Sequence, residues 1–137
     1  MIKYLTKKQI LTINRETILR HGGNYVNPDN ILHEENLSYL IDSVKADLFG
    51  QPMYPTLQEK ASVYCHHIIC NHIFSDGNKR TGLASALQFL NINNHQLRES
   101  VSNEELTEFI LSVASGVLSL DECKSWFEIH ISTLKEI

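Results

Sequence analysis

Thr81-Gly82-Leu83-Ala84-Ser85-Ala86-Leu87-Gln88-Phe89-Leu90-Asn91-Ile92 is the stretch on which the reading of the fold turns. Leu83, Ala84, Ala86, Leu87 and Leu90 make a helix of this segment apolar almost all round, so it reads as the central, most buried helix. Helical signals continue outward on both sides. Thr56 with Glu59, Ser102 with Glu105, and Ser119 with Glu122 have the capping-box spacing, in which cap and N3 side chains satisfy free backbone N–H groups. The first pair opens a helix through Ala61, Tyr64, Cys65, Ile68 and Ile69 that ends near Asn71. The second opens one through Leu106, Phe109, Ile110 and Val113 to Gly116, and the third carries Trp126, Phe127, Ile129 and Ile131 to the C-terminus. Upstream, Thr6 caps a helix with Ile10, Leu11, Ile13 and Ile18 on its apolar face, stopped at His21-Gly22-Gly23. After the turn-rich residues Asn24 to Asn30, Leu37, Leu40, Ile41, Val44 and Leu48 repeat at helical spacing. Gly50, Pro52 and Pro55 exclude helix from Phe49 to Pro55 and leave a loop or a short hairpin there. Strict two-residue alternation persists nowhere. The expectation is all-α: a compact bundle of about six helices with a short flap between the second and third.

Composition sets the frame. With 137 residues, 42% of them apolar, 20% charged and a formal charge of −4, residues 1–137 read as one domain with a sizeable core. No run approaches the roughly 18 apolar residues of a membrane span, and the N-terminus lacks the apolar core of a secretory signal. Three cysteines at irregular spacing do not form a disulfide framework, so a cytoplasmic setting is expected. The acidic balance argues against direct nucleic-acid binding, which draws on a basic surface. Any bound anion must be gripped locally.

One segment has the means to do so: His72-Ile73-Phe74-Ser75-Asp76-Gly77-Asn78-Lys79-Arg80-Thr81-Gly82. Asp76-Gly77 is a turn signal, and Gly77 takes positive φ without penalty. Asn78 is a good N-cap for the helix that follows. Free N–H groups at a helix start make an anion site, and Lys79 and Arg80 add two positive charges there. The loop reads as a phosphate cradle. His72 is placed to accept a proton from a hydroxyl attacking the bound phosphate. Asp76, the only carboxylate in the loop, is the hard oxygen ligand that Mg²⁺ takes beside phosphates. Phe74 reads as an apolar pin for the loop. Residue chemistry alone leaves a plainer alternative open, since Asp-Gly-Asn is ordinary connection chemistry and a Lys-Arg pair is commonly a solvated face.

The loop resembles the signature of the Fic/Doc superfamily, His-x-Phe-x-Asp/Asn-Gly/Ala-Asn-Gly/Lys-Arg. Leu5 to Gly23, Tyr54-Pro55-Thr56-Leu57 and Ala84-Ser85-Ala86-Leu87-Gln88-Phe89-Leu90 are similar to the death-on-curing (Doc) branch, so the resemblance spans nearly the whole chain. It implies a compact helical Fic fold. Fic adenylyltransferases typically carry Gly-Asn-Gly-Arg and a second arginine three residues later; here the residues are Gly77-Asn78-Lys79-Arg80, with Leu83 in the second arginine's place. In the Doc branch that lysine goes with an inverted nucleotide and transfer of the γ-phosphoryl group. The resemblance therefore implies a toxin that moves phosphate from ATP, with Mg²⁺, to a hydroxyl on a translation factor, elongation factor Tu being the leading candidate. It implies His72 as general base, Asp76 as Mg²⁺ ligand, and Gly77, Asn78, Lys79 and Arg80 as phosphate-binding positions. The segment from Gly50 to Pro55 lies where relatives carry a flap that docks the target backbone. Alanine occurs in the Doc branch at the place of Gly77, and Asn14 lies where many relatives have histidine, a departure expected to be peripheral. An adenylyltransferase using the same His72 and Asp76 is the runner-up, and a non-catalytic phosphate-binding module the third reading.

Other signals carry less. Cys65, His66, His67, Cys70 and His72 crowd one helix, but the gap of five between Cys65 and Cys70 does not fit the usual zinc-ligand spacing, and Cys65 reads as core. His33-Glu34-Glu35-Asn36-Leu37 lacks the second histidine of a zinc protease, and no Gly-x4-Gly-Lys-Ser/Thr loop is present. Some Fic proteins are restrained by a Ser/Thr-x-x-x-Glu-Gly/Asn helix. Thr12–Glu16, Ser100–Glu104 and Ser132–Glu136 share only the first spacing. Control by a separate antitoxin protein is expected instead of self-inhibition.

Overall fold

The computed structural model describes residues 1–134. Six helices follow in order: α1 Lys7–His21, α2 Glu34–Ser43, α3 Leu57–Cys70, α4 Asn78–Ile92, α5 Asn103–Ala114 and α6 Leu120–His130. Two small antiparallel ladders complete the fold, β1 Asp47–Leu48 with β2 Gln51–Pro52, and β3 His95–Leu97 with β4 Ile131–Thr133. The all-α expectation holds. Local capping explains where the helices begin. Thr6, Ser102 and Ser119 each close a complete capping box with Gln9, Glu105 and Glu122. At α3 the box is half made: Thr56 accepts from Glu59 N, but its hydroxyl rather than its backbone N–H meets the Glu59 carboxylate.

The most buried helix is α3, not the Thr81–Ile92 segment. Every residue of α3 from Lys60 to Ile69 except His66 is buried, and α2, α4, α5 and α6 all pack around it. The reason lies in the small residues of α4. Gly82, Ser85 and Ala86 are buried, and a Cβ on Gly82 would come within 2.7 Å of Ile69 Cγ1 and 2.9 Å of the Cys65 carbonyl oxygen, both on α3. The two backbones approach closely there, while Lys79, Arg80, Gln88 and Asn91 keep the other side of α4 in solvent. The core is continuous, with Tyr64, Phe74, Phe89 and Phe127 its largest fully buried side chains.

The C-terminal helix is shorter than expected. It stops at His130, and Ile131 turns extended (φ −95°, ψ 156°) so that Ile131–Thr133 pairs with β3, Leu97 opposite Ile131. Glu136, and with it the Ser132–Glu136 pair, lies outside the described residues. Between α2 and α3 the undecided segment is a hairpin. Phe49 and Gly50 form its two-residue turn with φ of 51° and 79°, the positive pair that a right-twisted hairpin requires. Phe49 stands at its tip, 97% exposed. Among the described residues no helix is long and apolar enough to cross a membrane.

Candidate functional site

The loop between α3 and α4 is held by backbone pairing to the segment that precedes α2. His72 leaves α3 with a left-handed φ of 46°, which turns its side chain to solvent while Ile73 and Phe74 plunge into the core with no exposure. The N–H groups of Leu32 and His33 both donate to the Ile73 carbonyl, Ser75 N donates to the Asn30 carbonyl at 2.8 Å, and Ile31 bridges Phe74.

Asn78 does not cap α4. Gly77 is the N-cap, in the left-handed region at φ 81°, and no side-chain bond closes this end of the helix. The Asn78 amide points back into the loop instead, accepting from Phe74 N at 2.9 Å and donating to Phe74 O at 2.8 Å. An uncapped first turn leaves its N–H groups available to an anion. Lys79 and Arg80 are exposed beside them, and the Arg80 guanidinium also reaches the His21 carbonyl at 3.5 Å, at the end of α1.

Asp76 is exposed but oriented. Asn24 N donates to its Oδ2 and Gly77 N to its Oδ1, each at 2.8 Å. These backbone donors, Asn24 first and then Gly77, hold its carboxyl below the ordinary carboxylate range, and the nearby Lys79 charge adds to the effect against a small opposing cost of burial. Gly23 is needed for this contact, because a Cβ there would lie 3.0 Å from Asp76 Oδ2 on a backbone at φ 133°.

His72, Asp76, Gly77, Asn78, Lys79 and Arg80 line one groove of about 730 Å³, open to solvent. Phe74 lies behind it in the core. The opposite wall, not foreseen from the sequence, is α5, which presents Leu106, Thr107, Ile110 and Leu111, while Ile69 and Leu83 extend the apolar surface across from α3 and α4. One end of the groove is therefore cationic and rich in N–H donors, and the other offers apolar area on which a flat ring can lie.

Asn14, at the position where many relatives have histidine, is fully buried beneath the loop. Its Nδ2 donates to the Asp76 carbonyl at 3.0 Å and to Thr81 Oγ1 at 2.9 Å, and its Oδ1 accepts from Asn30 Nδ2 at 2.9 Å. The signal was present in the sequence: Asn14 sits between Ile10 and Ile18 at four-residue steps, a polar amide within an apolar stripe. Cys65 is core as expected, and burial pushes its thiol up.

A family model described as the Fic/DOC family matches residues 4–90. A protein named Toxin Doc from Mycolicibacterium smegmatis is 31% identical over 121 residues, 88% of each chain. A protein named Protein kinase doc from Escherichia phage P1 is 29% identical over 119 residues, covering 87% of this chain and 88% of that relative.

Proposed function

This chain belongs to the Fic/DOC family, and from that membership we propose that it is a Doc-type toxin acting in the cytoplasm, a phosphotransferase that moves the γ-phosphoryl group of ATP to a protein hydroxyl. The observation that carries the choice of reaction is the pair Lys79 and Leu83. The first turn of α4 offers a long cation where adenylyltransferases have glycine, and one turn on the groove is lined by an apolar side chain where they have an arginine. The phage relative named as a protein kinase supports the same reading.

In this reading the exposed N–H groups of α4, with Lys79 and Arg80, bind and orient the phosphates. Asp76 suits Mg²⁺: it is ionised, each of its oxygens accepts only one backbone N–H, and lone pairs remain for a cation. The ion, when bound, neutralises charge on the phosphate oxygens. His72, at the mouth of the loop, accepts the proton of the attacking hydroxyl as the new O–P bond forms and the bond to the ADP oxygen breaks. The hydroxyl is proposed to belong to a translation factor, with elongation factor Tu the first to test. The exposed hairpin bearing Leu48 and Phe49 is the surface proposed to meet it. A separate antitoxin is the proposed means of control.

Intact-mass analysis of translation factors after incubation with ATP and Mg²⁺ tests the proposal, together with parallel reactions using γ- and α-labelled ATP. A gain of one phosphate is expected. A gain of one AMP makes the chain an adenylyltransferase, and no gain across the translation factors removes that target class.

A further inference from the structure

We propose that Asn14 is a positioning residue for the Asp76 carboxylate: with Asn30 it locks the peptide unit between Asp76 and Gly77, whose N–H grips that carboxylate. The inference rests on the reading of Asp76 as a cation ligand. Asn14 does not line the groove and touches no group that would react.

The argument starts from a single carbonyl. Asp76 O accepts from two amides, Asn14 Nδ2 at 3.0 Å and Asn30 Nδ2 at 3.1 Å, which fills both of its lone pairs. Both asparagines are buried, at 0% and 1% exposure, so neither amide can exchange these bonds for water. Their orientations are fixed mutually. Asp76 O can only accept, so both amides must present N–H to it. Asn14 Oδ1 then accepts from Asn30 Nδ2 at 2.9 Å, and Asn30 Oδ1 accepts from Val26 N at 2.9 Å. Each NH₂ group thus spends both hydrogens, Asn14 using its second on Thr81 Oγ1.

The held carbonyl belongs to the same planar unit as Gly77 N–H. That N–H points the other way and donates to Asp76 Oδ1 at 2.8 Å. Rotating the plane to free the carbonyl would swing the N–H off the carboxylate, leaving only Asn24 N on Oδ2. Close approach is built in. Gly77 is left-handed, and a Cβ on it would lie 3.2 Å from Asn14 Nδ2 and 3.2 Å from Ile18 Cγ1. The α1 face thereby transmits its position through one peptide to one carboxylate, and a ligand whose direction is set before the cation arrives binds it with less reordering.

The test compares Asn14→Asp, which keeps the shape but sets an acceptor against Asp76 O, with Thr81→Val, which breaks the same buried network without touching that carbonyl. Two readouts are taken, hydrogen exchange of the Gly77 and Asn24 amides by NMR in metal-free protein, and Mn²⁺ affinity by electron paramagnetic resonance in the presence of ATP. In Asn14→Asp, exchange at Gly77 is expected to speed up about tenfold or more and Mn²⁺ to bind roughly tenfold more weakly, about 1.4 kcal/mol by the conversion of a tenfold ratio. Thr81→Val is expected to melt earlier but leave both readouts near wild type. If Asn14→Asp does not fold, Asn30→Ala carries the test, with a smaller change of the same sign. Preserved Gly77 protection in Asn14→Asp, or equal loosening in Thr81→Val, overturns the proposal, as does loosened Gly77 with unchanged Mn²⁺ affinity. Failure of the kinase reading would show separately, as no phosphate transfer by the wild type, while the amide exchange would still decide the role of Asn14.

Discussion

Asn78 opens α4 and is clamped to Phe74 behind it: one side-chain amide both accepts from the Phe74 N–H and donates to the Phe74 carbonyl. This closes the tightest part of the loop and fixes where Asp76 and Gly77 stand between the two residues. Because the amide is spent on the loop, Asn78 has its backbone N–H, not its side chain, to offer a phosphate.

The clamp separates two effects. Asn78→Ala loses both bonds and should cost about 1–2 kcal/mol, lowering the melting temperature. Asn78→Asp keeps the acceptor for Phe74 N, while its second oxygen is repelled by the Phe74 carbonyl. The gain of a negative charge at the first position of α4 offsets that repulsion, so the aspartate variant should melt at or above the alanine variant. It also places a negative charge where the phosphates are proposed to sit, and should bind ATP more weakly than alanine does. Thermal melts and ATP calorimetry on both variants check this; matching orders of stability and affinity would refute it.

What could be read from the sequence divides by distance along the chain. The caps at Ser102 and Ser119 act over three residues, and the loop from His72 to Arg80 is contiguous, so both left local patterns. The contacts that orient Asp76 do not. Asn14 and Asn24 reach it across 62 and 52 positions, from segments whose own patterns speak only of an amphipathic helix and a turn. The same holds for β4: Ile131 and Thr133 look like the end of a helical stripe until β3 offers them partners 34 and 38 positions away, Ile131 opposite Leu97 and Thr133 opposite His95. Burial of α3 over α4 was hidden for another reason. Small residues mark close approach of two backbones, and that reads in sequence much like general burial.

Under the proposed reaction, Lys79 is the residue expected to set which phosphate of ATP is transferred. Replacing it by glycine removes a fixed charge from the groove, and γ-phosphoryl transfer should fall by roughly 10²-fold, the usual cost of one preorganised donor at a developing charge. The change also recreates Gly-Asn-Gly-Arg, so AMP transfer should become measurable. Reactions with γ- and α-labelled ATP run side by side give both numbers. Unaltered γ-transfer in Lys79→Gly would count against the proposed reaction.

Acid should loosen the fold through His67. This side chain is buried on α3 and stacked on Tyr39 with ring centroids 5.7 Å apart. Burial, helped by the neighbouring His66, lowers its pKa from 6.5 to about 4, against a weaker opposing contact with the Val63 carbonyl. Between those values the unfolded chain binds the proton and the folded chain does not, so stability is full above about 6.5 and declines as pH falls toward 4. The loss attributable to His67 is on the order of 3 kcal/mol. The depressed Asp76 carboxyl acts with the same sign, but only at still lower pH. Urea unfolding of wild type and His67→Phe, at neutral and at mildly acid pH, should show a shallower decline in the variant; parallel declines would remove His67 as the cause.

His72 allows stability and chemistry to be pulled apart. It is a non-glycine residue at φ 46°, a conformation that costs an L-residue roughly 1–2 kcal/mol. His72→Ala keeps the Cβ and the strain, while His72→Gly relieves it, so the glycine variant should melt at or above the alanine one. Neither carries a proton acceptor, and both should lose about 10²–10⁴-fold in transfer rate while holding ATP nearly as well as wild type. Single-turnover transfer, ATP calorimetry and thermal melts on the three proteins settle it together. A glycine variant that is more stable and equally inactive places the imidazole itself in the reaction, whereas near-normal transfer by His72→Ala would take the proton from the hydroxyl to some other group.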